Sequence, residues 1–262
     1  MISKLTNIHP NAKLHQSVVV EPFTTIYEDV EIGENTWIGP NVTIMEGARI
    51  GKNCKIFPGA VISGTPQDLK FENEKTETFI GDDTTIREYV TVSRGTNDKL
   101  KTVIGANCLL MAYVHIAHDC SVGDNCVIAN AVQMAGHVEV FENVIIGGSS
   151  AIHQFVKIGA HSIISGGSLV RKDIPPFVKA AREPLNYCGV NLIGLKRRGF
   201  SQDKVSEIQE IYRRLFMNGQ NYTQAVNSIE KEMPPTKERD IVLDFFKKSE
   251  RGIIKGSKKN NS

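Results

Sequence analysis

The sequence predicts an all-β chain that winds into a parallel β-helix, followed by a small C-terminal α-helical domain. Two observations predict the β-helix, and a third predicts the helical domain. Aliphatic residues recur at every sixth position from Ile8 to Val170, where 25 of the 28 positions hold Ile, Leu, Val or Met. Glycine directly follows many of these residues, as at Gly33 and Gly51, and we expect each such glycine at a sharp corner. After Pro184 the apolar residues follow the spacing of helices instead.

Each six-residue repeat predicts one short strand and one corner, so three repeats close one triangular coil. About nine such coils, stacked roughly 4.8 Å apart, form a prism roughly 43 Å long. The exceptions to the period are Asp68, Glu74 and Asp98. They predict two loops that leave the prism, near Gly64–Phe79 and near Arg94–Thr102, and loops on a rigid scaffold often carry function.

The end of the repeat sets the expected domain boundary. The β pattern is expected to end at Asp173–Pro176. We predict a β-helix over residues 1–183, a helical domain over residues 184–255 and a disordered polar tail over residues 256–262.

Three helices are predicted in the C-terminal domain. Ser201 is expected to cap the first helix, whose apolar face runs from Val205 to Leu215. A second helix is predicted around Ala225–Met233 and a third around Ile241–Phe246.

Composition excludes several classes of function. The net charge of +2 gives no electrostatic footprint for nucleic acid. The sequence has neither an apolar run long enough to span a membrane nor a signal peptide, so we expect no membrane insertion and a cytoplasmic location. The odd number of cysteines, without CxxC spacing, favours neither a disulfide framework nor a zinc cluster. Four of the five take the small-residue position of the repeat, which predicts a packing role: Cys54, Cys108, Cys120 and Cys126.

Histidines mark the candidate site. The repeats headed by Ile116, Met134 and Ile152 are 18 residues apart, so they occupy one side of the prism in successive coils. These repeats carry His118, His137 and His153, and His115 lies close by. We therefore expect a ladder of three imidazoles and interpret it as a site rather than a solvated surface.

Two chemistries remain open for this ladder. Zinc bound by histidines of neighbouring coils is one, as in β-helical carbonic anhydrases, and general-base catalysis is the other. Two residues separate His115 from His118, a spacing that favours the general base. Asp119 could orient such a base, but only a corner geometry would turn two adjacent side chains together.

Five segments are distinctive beyond the repeat itself: Gln67-Asp68-Leu69-Lys70, His115–Cys120, Ala135-Gly136-His137-Val138, His153-Gln154-Phe155 and Gly194–Phe200. Through these segments the chain closely resembles the UDP-N-acetylglucosamine O-acyltransferases of lipid A biosynthesis, and the resemblance covers nearly its whole length. It implies a left-handed β-helix, an exception to the usual handedness of parallel connections.

The resemblance implies a reaction and its participants. A long 3-hydroxyacyl chain would pass from acyl carrier protein to the 3-hydroxyl of UDP-N-acetylglucosamine, the first step of lipid A biosynthesis. The protein would be a homotrimer with its active sites in clefts between prisms, and would need no cofactor and no metal. His118 matches the general base, Asp119 would support it, and the backbone N–H of Gly136 would hold the oxyanion.

The resemblance also assigns residues to the substrates. Gly166 matches the position that meets the tip of the acyl chain and so sets its length. The residues that match the sugar-nucleotide site are Gln67, Asp68, Lys70, His115, His137, His153, Gln154, Asn191, Arg197 and Arg198. One departure stands out, because Ile193 replaces the glutamate common in the family and cannot accept a hydrogen bond from the nucleotide.

Basic residues late in the chain predict a docking surface for the acidic carrier protein, since complementary charge steers such encounters. They are Arg171, Lys172, Lys179, Lys196, Arg197 and Arg198.

Three other kinds of protein share features of this sequence. The N-acyltransferase of the same pathway carries an extra N-terminal uridine-binding domain, whereas the repeats here begin at Ile8. A metal-dependent carbonic anhydrase would place zinc on the histidines. A non-catalytic scaffold would have no reason to gather histidines on one side.

Overall fold

The computed structural model describes residues 1–217 and 221–256. Residues 257–262, which make up most of the predicted disordered tail, lie outside the described residues. Gly256, the first residue of that predicted tail, forms a parallel β-bridge with Tyr187.

Short strands, most of them two residues long, follow the predicted repeat, and every aliphatic residue of the six-residue period falls inside a strand. The strands are β1 (Asn7–Ile8), β2 (Lys13–Leu14), β3 (Val19–Val20), β4 (Thr25–Ile26), β5 (Glu31–Ile32), β6 (Trp37–Ile38), β7 (Thr43–Ile44), β8 (Ala48–Ile50), β9 (Lys55–Ile56), β10 (Val61–Gly64), β11 (Glu77–Ile80), β12 (Thr85–Ile86), β13 (Thr91–Ser93), β14 (Lys101–Ile104), β15 (Leu109–Leu110), β16 (His115–Ile116), β17 (Ser121–Val122), β18 (Val127–Ile128), β19 (Gln133–Met134), β20 (Glu139–Val140), β21 (Ile145–Ile146), β22 (Ala151–Ile152), β23 (Lys157–Ile158), β24 (Ile163–Ile164), β25 (Leu169–Val170), β26 (Val178–Ala181) and β27 (Asn186–Val190).

The strands stack into three sheets, one for each side of the prism. The first sheet runs from β1 through every third strand to β25, the second from β2 to β23, and the third from β3 to β24 and on through β26 and β27. Successive coils are in register, so that Ile116 pairs with Met134 and Met134 with Ile152. We call the corner line from first to second sheet the first edge, that from second to third the second edge, and that from third to first the third edge.

The interior of the prism is a continuous aliphatic column. The backbone at the corners of the coils differs from the prediction. The left-handed backbone lies three residues after the aliphatic position, as at Asn35 (φ 57°) and Asn53 (φ 54°), not at the glycine that follows it directly. Gly33 is needed for a different reason, because a Cβ there would lie 2.7 Å from the carbonyl carbon of Gly51. Close stacking of coils, rather than φ, therefore selects that glycine.

Both predicted loops are confirmed, and both leave the prism at the first edge. Residues 65–76 connect β10 to β11, and residues 94–100 connect β13 to β14. The loops touch each other, since Glu74 Oε1 accepts the Asn97 N–H at 3.0 Å.

The β structure extends further than predicted. Strand β26 pairs in parallel with β24, and β27 returns antiparallel along β26. The predicted end at Asp173–Pro176 is therefore wrong, and the third sheet continues past residue 183, where the helical domain was expected to begin. The six-residue step reaches Pro176 and the period is lost there, but Val178 and Ala180 still point inward and are buried.

The three predicted helices are confirmed, and the Ser201 hydroxyl accepts the Lys204 N–H at 3.3 Å as the predicted cap. A further short helix, capped by Asn191, was not predicted. None of the helices in the described parts of the chain is both long and apolar enough to cross a membrane. The helices are α1 (Leu192–Arg197), α2 (Gln202–Met217), α3 (Tyr222–Glu232) and α4 (Lys237–Lys247).

Asp173, at the first edge, fixes the segment after α4 to the prism through hydrogen bonds. Its fully buried carboxylate accepts the Lys157 N–H at 2.8 Å and the Ser249 hydroxyl at 2.6 Å. Its backbone N–H donates to the Gly252 carbonyl at 2.9 Å. The C-terminal segment therefore returns to the edge that carries the histidines.

Candidate active site

His118 and Asp119 form the centre of the candidate site at the first edge. Asp119 adopts left-handed backbone, with φ 60°. This corner turns the two adjacent side chains together, and His118 Nδ1 lies 2.8 Å from Asp119 Oδ2. The corner geometry that the pairing requires is therefore present.

The loop of residues 94–100 holds the Asp119 carboxylate, which is fully buried. Its Oδ1 accepts the backbone N–H of Thr96 at 2.9 Å and that of Lys99 at 3.2 Å, and its Oδ2 accepts the Thr96 hydroxyl at 2.6 Å. Burial by itself raises the pKa of Asp119, but the hydrogen bonds from Thr96 and His118 outweigh it and lower the pKa overall. Asp119 therefore stays ionised.

The ionised Asp119 fixes the position of the proton on His118. A carboxylate only accepts hydrogen bonds, so His118 Nδ1 carries the hydrogen and Nε2 keeps a free lone pair. The His118 side chain is 14% exposed, so the ring is largely shielded from solvent but remains accessible. An imidazole held in this tautomer is suited to remove a proton near neutral pH.

Gly136 lies against the His118 ring. A Cβ at this position would lie 2.7 Å from Cε1 and 2.8 Å from Nε2 of His118, so only glycine leaves room for the ring. The Gly136 N–H has no hydrogen-bond acceptor within the described ranges of the chain. A free N–H beside Nε2 is suited to bind an oxygen that gains negative charge.

His137 forms a second wall of the site. Its ring lies perpendicular to that of His118, with centroids 5.1 Å apart, and Phe155 stacks on its other side at 4.5 Å. Its Nδ1 lies 3.1 Å from Asp98 Oδ2, although the two groups are not aligned for a hydrogen bond.

The loop of residues 65–76 reaches over the same edge. Asp68 Oδ2 lies 4.0 Å from His118 Nε2, and Gln67 is exposed beside it. A cleft of about 350 Å³ opens here, a size that suits a small ligand. Its lining residues are Asp68, Lys70, Glu74, Thr96, Asn97, Asp98, His137 and Phe155.

The prediction of a three-histidine ladder is only partly right. His118 and His137 are in contact, but His153 is exposed, as is Gln154, and it contacts Arg251 instead. The three histidines follow their aliphatic positions by two, three and one residues respectively, so their side chains leave the prism in different directions.

His115 borders the site from the outer side of β16. Its Nδ1 lies 2.7 Å from the Thr91 hydroxyl oxygen. Burial, and after it the neighbouring charge of His118, lower the pKa of His115, so the neutral ring is favoured.

Asn191, Arg197 and Arg198, which the resemblance assigns to the sugar-nucleotide site, lie away from His118, at the second edge. The Asn191 side chain caps α1 by accepting the Gly194 N–H at 3.2 Å, and it donates to the His161 carbonyl at 2.9 Å. Arg198 is half-buried and burial lowers its pKa, whereas Arg197 is exposed.

Gly166 lies at the third edge, between β24 and β25. Gly167 takes the left-handed backbone of that corner (φ 69°), and Gly166 does not. A Cβ at Gly166 would lie 3.1 Å from the Gly148 carbonyl oxygen. A side chain at this position therefore needs only a small shift of the neighbouring coil.

A metal is the other species these residues could hold. Ligand atoms of His118, Asp119 and His137 lie within 4.8 Å of one another. However, the Asp119 oxygens already accept four hydrogen bonds, from Thr96, Lys99 and His118. A bound ion would have to displace one of these donors, so the arrangement suits a general base better.

Three residues that contact or line the site were not assigned to it from the sequence, namely Thr96, Asp98 and Phe155, and neither was Arg251, which contacts His153. Asp98 did give a signal, because it is one of the exceptions to the six-residue period. Thr96 and Arg251 are brought in by a loop and by the C-terminal segment, whose contacts no local pattern reveals.

Comparison with known proteins agrees with the fold. The family described as "Udp N-acetylglucosamine O-acyltransferase; Domain 2" matches residues 173–254, and the family "Bacterial transferase hexapeptide (six repeats)" matches residues 29–64 and 101–136. The hexapeptide match indicates that the parallel β-helix is left-handed, as the resemblance implied.

Individual relatives match over most of the chain. The acyl-carrier-protein–UDP-N-acetylglucosamine O-acyltransferase of Trichlorobacter lovleyi is 52% identical over 253 residues, which cover 95% of this chain and 97% of the relative. The enzyme of the same description from Sulfurihydrogenibium sp. is 59% identical over 196 residues, covering 74% and 72%. The solved UDP-N-acetylglucosamine acyltransferase from Bacteroides fragilis is 45% identical, with a TM-score of 0.95 over 97% of this chain and 100% of that one. This chain therefore belongs to the family of UDP-N-acetylglucosamine O-acyltransferases.

Proposed function

We propose that this enzyme transfers a long 3-hydroxyacyl chain from acyl carrier protein to the 3-hydroxyl of UDP-N-acetylglucosamine, the step that begins lipid A biosynthesis. Family membership supports the substrates. One observation carries the mechanism: His118 lies between the buried Asp119 carboxylate and the free N–H of Gly136.

The reaction proceeds by direct transfer, without an acyl-enzyme. His118 Nε2 removes the proton of the sugar 3-hydroxyl as its oxygen attacks the thioester carbonyl carbon. The Gly136 N–H stabilises the resulting oxyanion, and Asp119 stabilises the imidazolium. The intermediate collapses to the ester, the carbon–sulfur bond breaks, and the leaving thiolate takes the proton back from His118. General-base assistance of this kind is worth about 10² to 10⁴ in rate.

We propose that the sugar nucleotide occupies the cleft at the first edge. Its sugar would contact residues that line or border the cleft, and hydroxyl and carboxylate partners there suit its hydroxyl groups. Arginine suits the phosphate oxygens. With Ile193 exposed where the family commonly has a glutamate, another group must hold the base or ribose. The contacting residues would be Gln67, Asp68, Lys70, His115, His137, His153, Gln154, Asn191, Arg197 and Arg198.

We propose that the enzyme works as a homotrimer. The residues assigned to one active site lie on three different edges of one prism: His118 on the first, the surroundings of Asn191 on the second and Gly166 on the third. In the proposed trimer, the first edge of one prism faces the third sheet of the neighbouring prism. The second and third edges border that sheet, so the neighbouring subunit brings both of them to the same active site. Two subunits then complete one site.

An apolar ladder on the outer face of the third sheet supports this arrangement for the acyl chain. Leu109, Val127, Ile145 and Ile163 stack directly above one another on successive coils, and each is half-buried. A hydrocarbon chain laid along the ladder runs parallel to the prism axis and meets Gly166 just past Ile163. Each buried methylene contributes about 0.8 kcal/mol.

The late basic residues support docking of an acidic carrier protein. Within the described chain none of the six forms an ion pair with a carboxylate, and all except the half-buried Arg198 are exposed. Unpaired cations of this kind steer an acidic partner. We place the reaction in the cytoplasm, where the free thiols of the chain remain reduced.

Changing His118 to alanine tests the proposal. We expect kcat to fall by about 10² to 10⁴, with the fold retained because the side chain lies at an edge and not in the core. His15→Ala is the matched control, since His15 is exposed at an edge far from the site, and it should keep wild-type activity. Near-normal turnover of a folded His118→Ala enzyme would rule out His118 as the base.

A further inference from the structure

The segment that follows α4 brings a guanidinium to His153, on the edge that carries His118. Arg251 Nη2 lies 2.8 Å from His153 Nδ1. The segment is fixed on both sides of Arg251, because the buried Asp173 accepts the Ser249 hydroxyl and donates its N–H to the Gly252 carbonyl. Arg251 therefore comes from a docked segment, although it is separated from His153 by 98 residues in sequence.

The chemistry of the contact decides the tautomer of His153. A guanidinium has five donors and no acceptor, so His153 Nδ1 must accept and cannot carry a hydrogen. The ring is then neutral, and its hydrogen resides on Nε2, which is left to donate. A competing partner lies close by, since the carbonyl oxygen of Gln154 is 3.1 Å from the same Nδ1. That oxygen can only accept, so it would draw the hydrogen to Nδ1. The two contacts exclude each other.

We infer that Arg251 is a positioning residue, which acts through His153. It holds His153 as an Nε2–H donor for an oxygen of the bound sugar nucleotide and prevents the ring from turning its hydrogen to Gln154. The inference rests on the proposed function, because it takes His153 as a residue of the sugar-nucleotide site. The inference also means that binding of the sugar nucleotide depends on the docking of the C-terminal segment.

Two variants of Arg251 distinguish the effect of its hydrogen-bond donors from the effect of its side-chain length. Arg251→Met keeps much of the length and removes every donor, whereas Arg251→Lys retains donors without acceptors. We expect Arg251→Met to raise KM for the sugar nucleotide on the order of tenfold, the value of one lost hydrogen bond, with kcat little changed. Arg251→Lys should restore most of the loss. Lys255→Gln, which removes an exposed cation of the same segment, should behave as wild type.

Nitrogen NMR of histidine-labelled enzyme without substrate reads the tautomer directly. We expect wild type and Arg251→Lys to show His153 protonated on Nε2 alone, and Arg251→Met to show protonation at Nδ1. The His153 resonances are assigned with His153→Gln. An unchanged His153 spectrum in Arg251→Met would overturn the inference, whatever the kinetics. If the spectrum changes while KM does not, Arg251 positions His153 but His153 does not bind the sugar nucleotide, so the proposed site fails and not the pairing.

Discussion

Changing Asp119 to asparagine should leave the corner folded and disable the base. The Asp119 Oδ1 accepts two backbone N–H groups, from Thr96 and Lys99. In the variant the amide oxygen must take this place, because the amide nitrogen cannot accept. The amide nitrogen then faces His118 Nδ1 and donates to it. The imidazole hydrogen moves to Nε2, and the lone pair that should accept the substrate proton is lost.

The expected magnitude follows from this exchange of tautomers. General-base assistance is worth about 10² to 10⁴, and the same change in a Ser-His-Asp triad lowers kcat by about 10⁴. We therefore expect kcat to fall by at least about 10², with KM for the sugar nucleotide nearly unchanged. The folding cost should be modest, about 1–3 kcal/mol, because the Thr96 hydroxyl can rotate to accept from the new amide.

Initial-rate kinetics and thermal unfolding of the same preparation separate the two effects. Asp124→Asn is the matched control, since Asp124 also accepts a backbone N–H at an edge, from Ala106 at 2.8 Å, but lies outside the site. It should lose some stability and no activity. A folded Asp119→Asn enzyme with kcat within tenfold of wild type would refute the role of Asp119.

Three further predictions concern metal, chain length and pH. Elemental analysis of the purified enzyme should find no stoichiometric zinc, and a chelator should not change the rate; one zinc per subunit, with activity lost on its removal, would favour a metal mechanism. Gly166→Met should penalise the longest donors and leave shorter ones relatively favoured, whereas an unchanged chain-length preference in a folded variant would make Gly166 a turn residue only. Burial is the largest cause that lowers the pKa of His115 and His161. The unfolded chain therefore binds protons more readily, so the free energy of unfolding should fall as the pH drops below about 6.5 and through the folded pKa values. Denaturant titrations at several pH values should show that the free energy of unfolding falls less steeply with pH in the double variant His115→Gln/His161→Gln than in wild type. An equal slope in the two proteins would contradict this.

The repetitive part of the fold is determined by short-range sequence and could therefore be predicted. Each coil repeats the same inward aliphatic residue, so one period fixes the strands, the three sheets and their register. The exceptions to the period located the loops for the same reason, because a residue that cannot point inward must leave the prism. The corners were mispredicted, since close stacking of coils selects glycine at Gly33 while Asn35 takes the left-handed backbone.

The site could be predicted only in part. The period brings His118 and His137 to one edge, but the offset of each histidine within its repeat decides where its ring points, and His153 turns toward Arg251. Contacts such as Thr96 with Asp119 depend on how a loop folds back over the edge. No short-range pattern encodes them.

Product analysis tests the central claim most directly. The purified enzyme is mixed with UDP-N-acetylglucosamine and 3-hydroxyacyl carrier protein, and the sugar nucleotide is examined by mass spectrometry and NMR. We predict an ester of the 3-hydroxyacyl chain at the sugar 3-hydroxyl, formed by wild type and essentially absent with His118→Ala. An unmodified sugar nucleotide after prolonged incubation with folded wild-type enzyme would contradict the account.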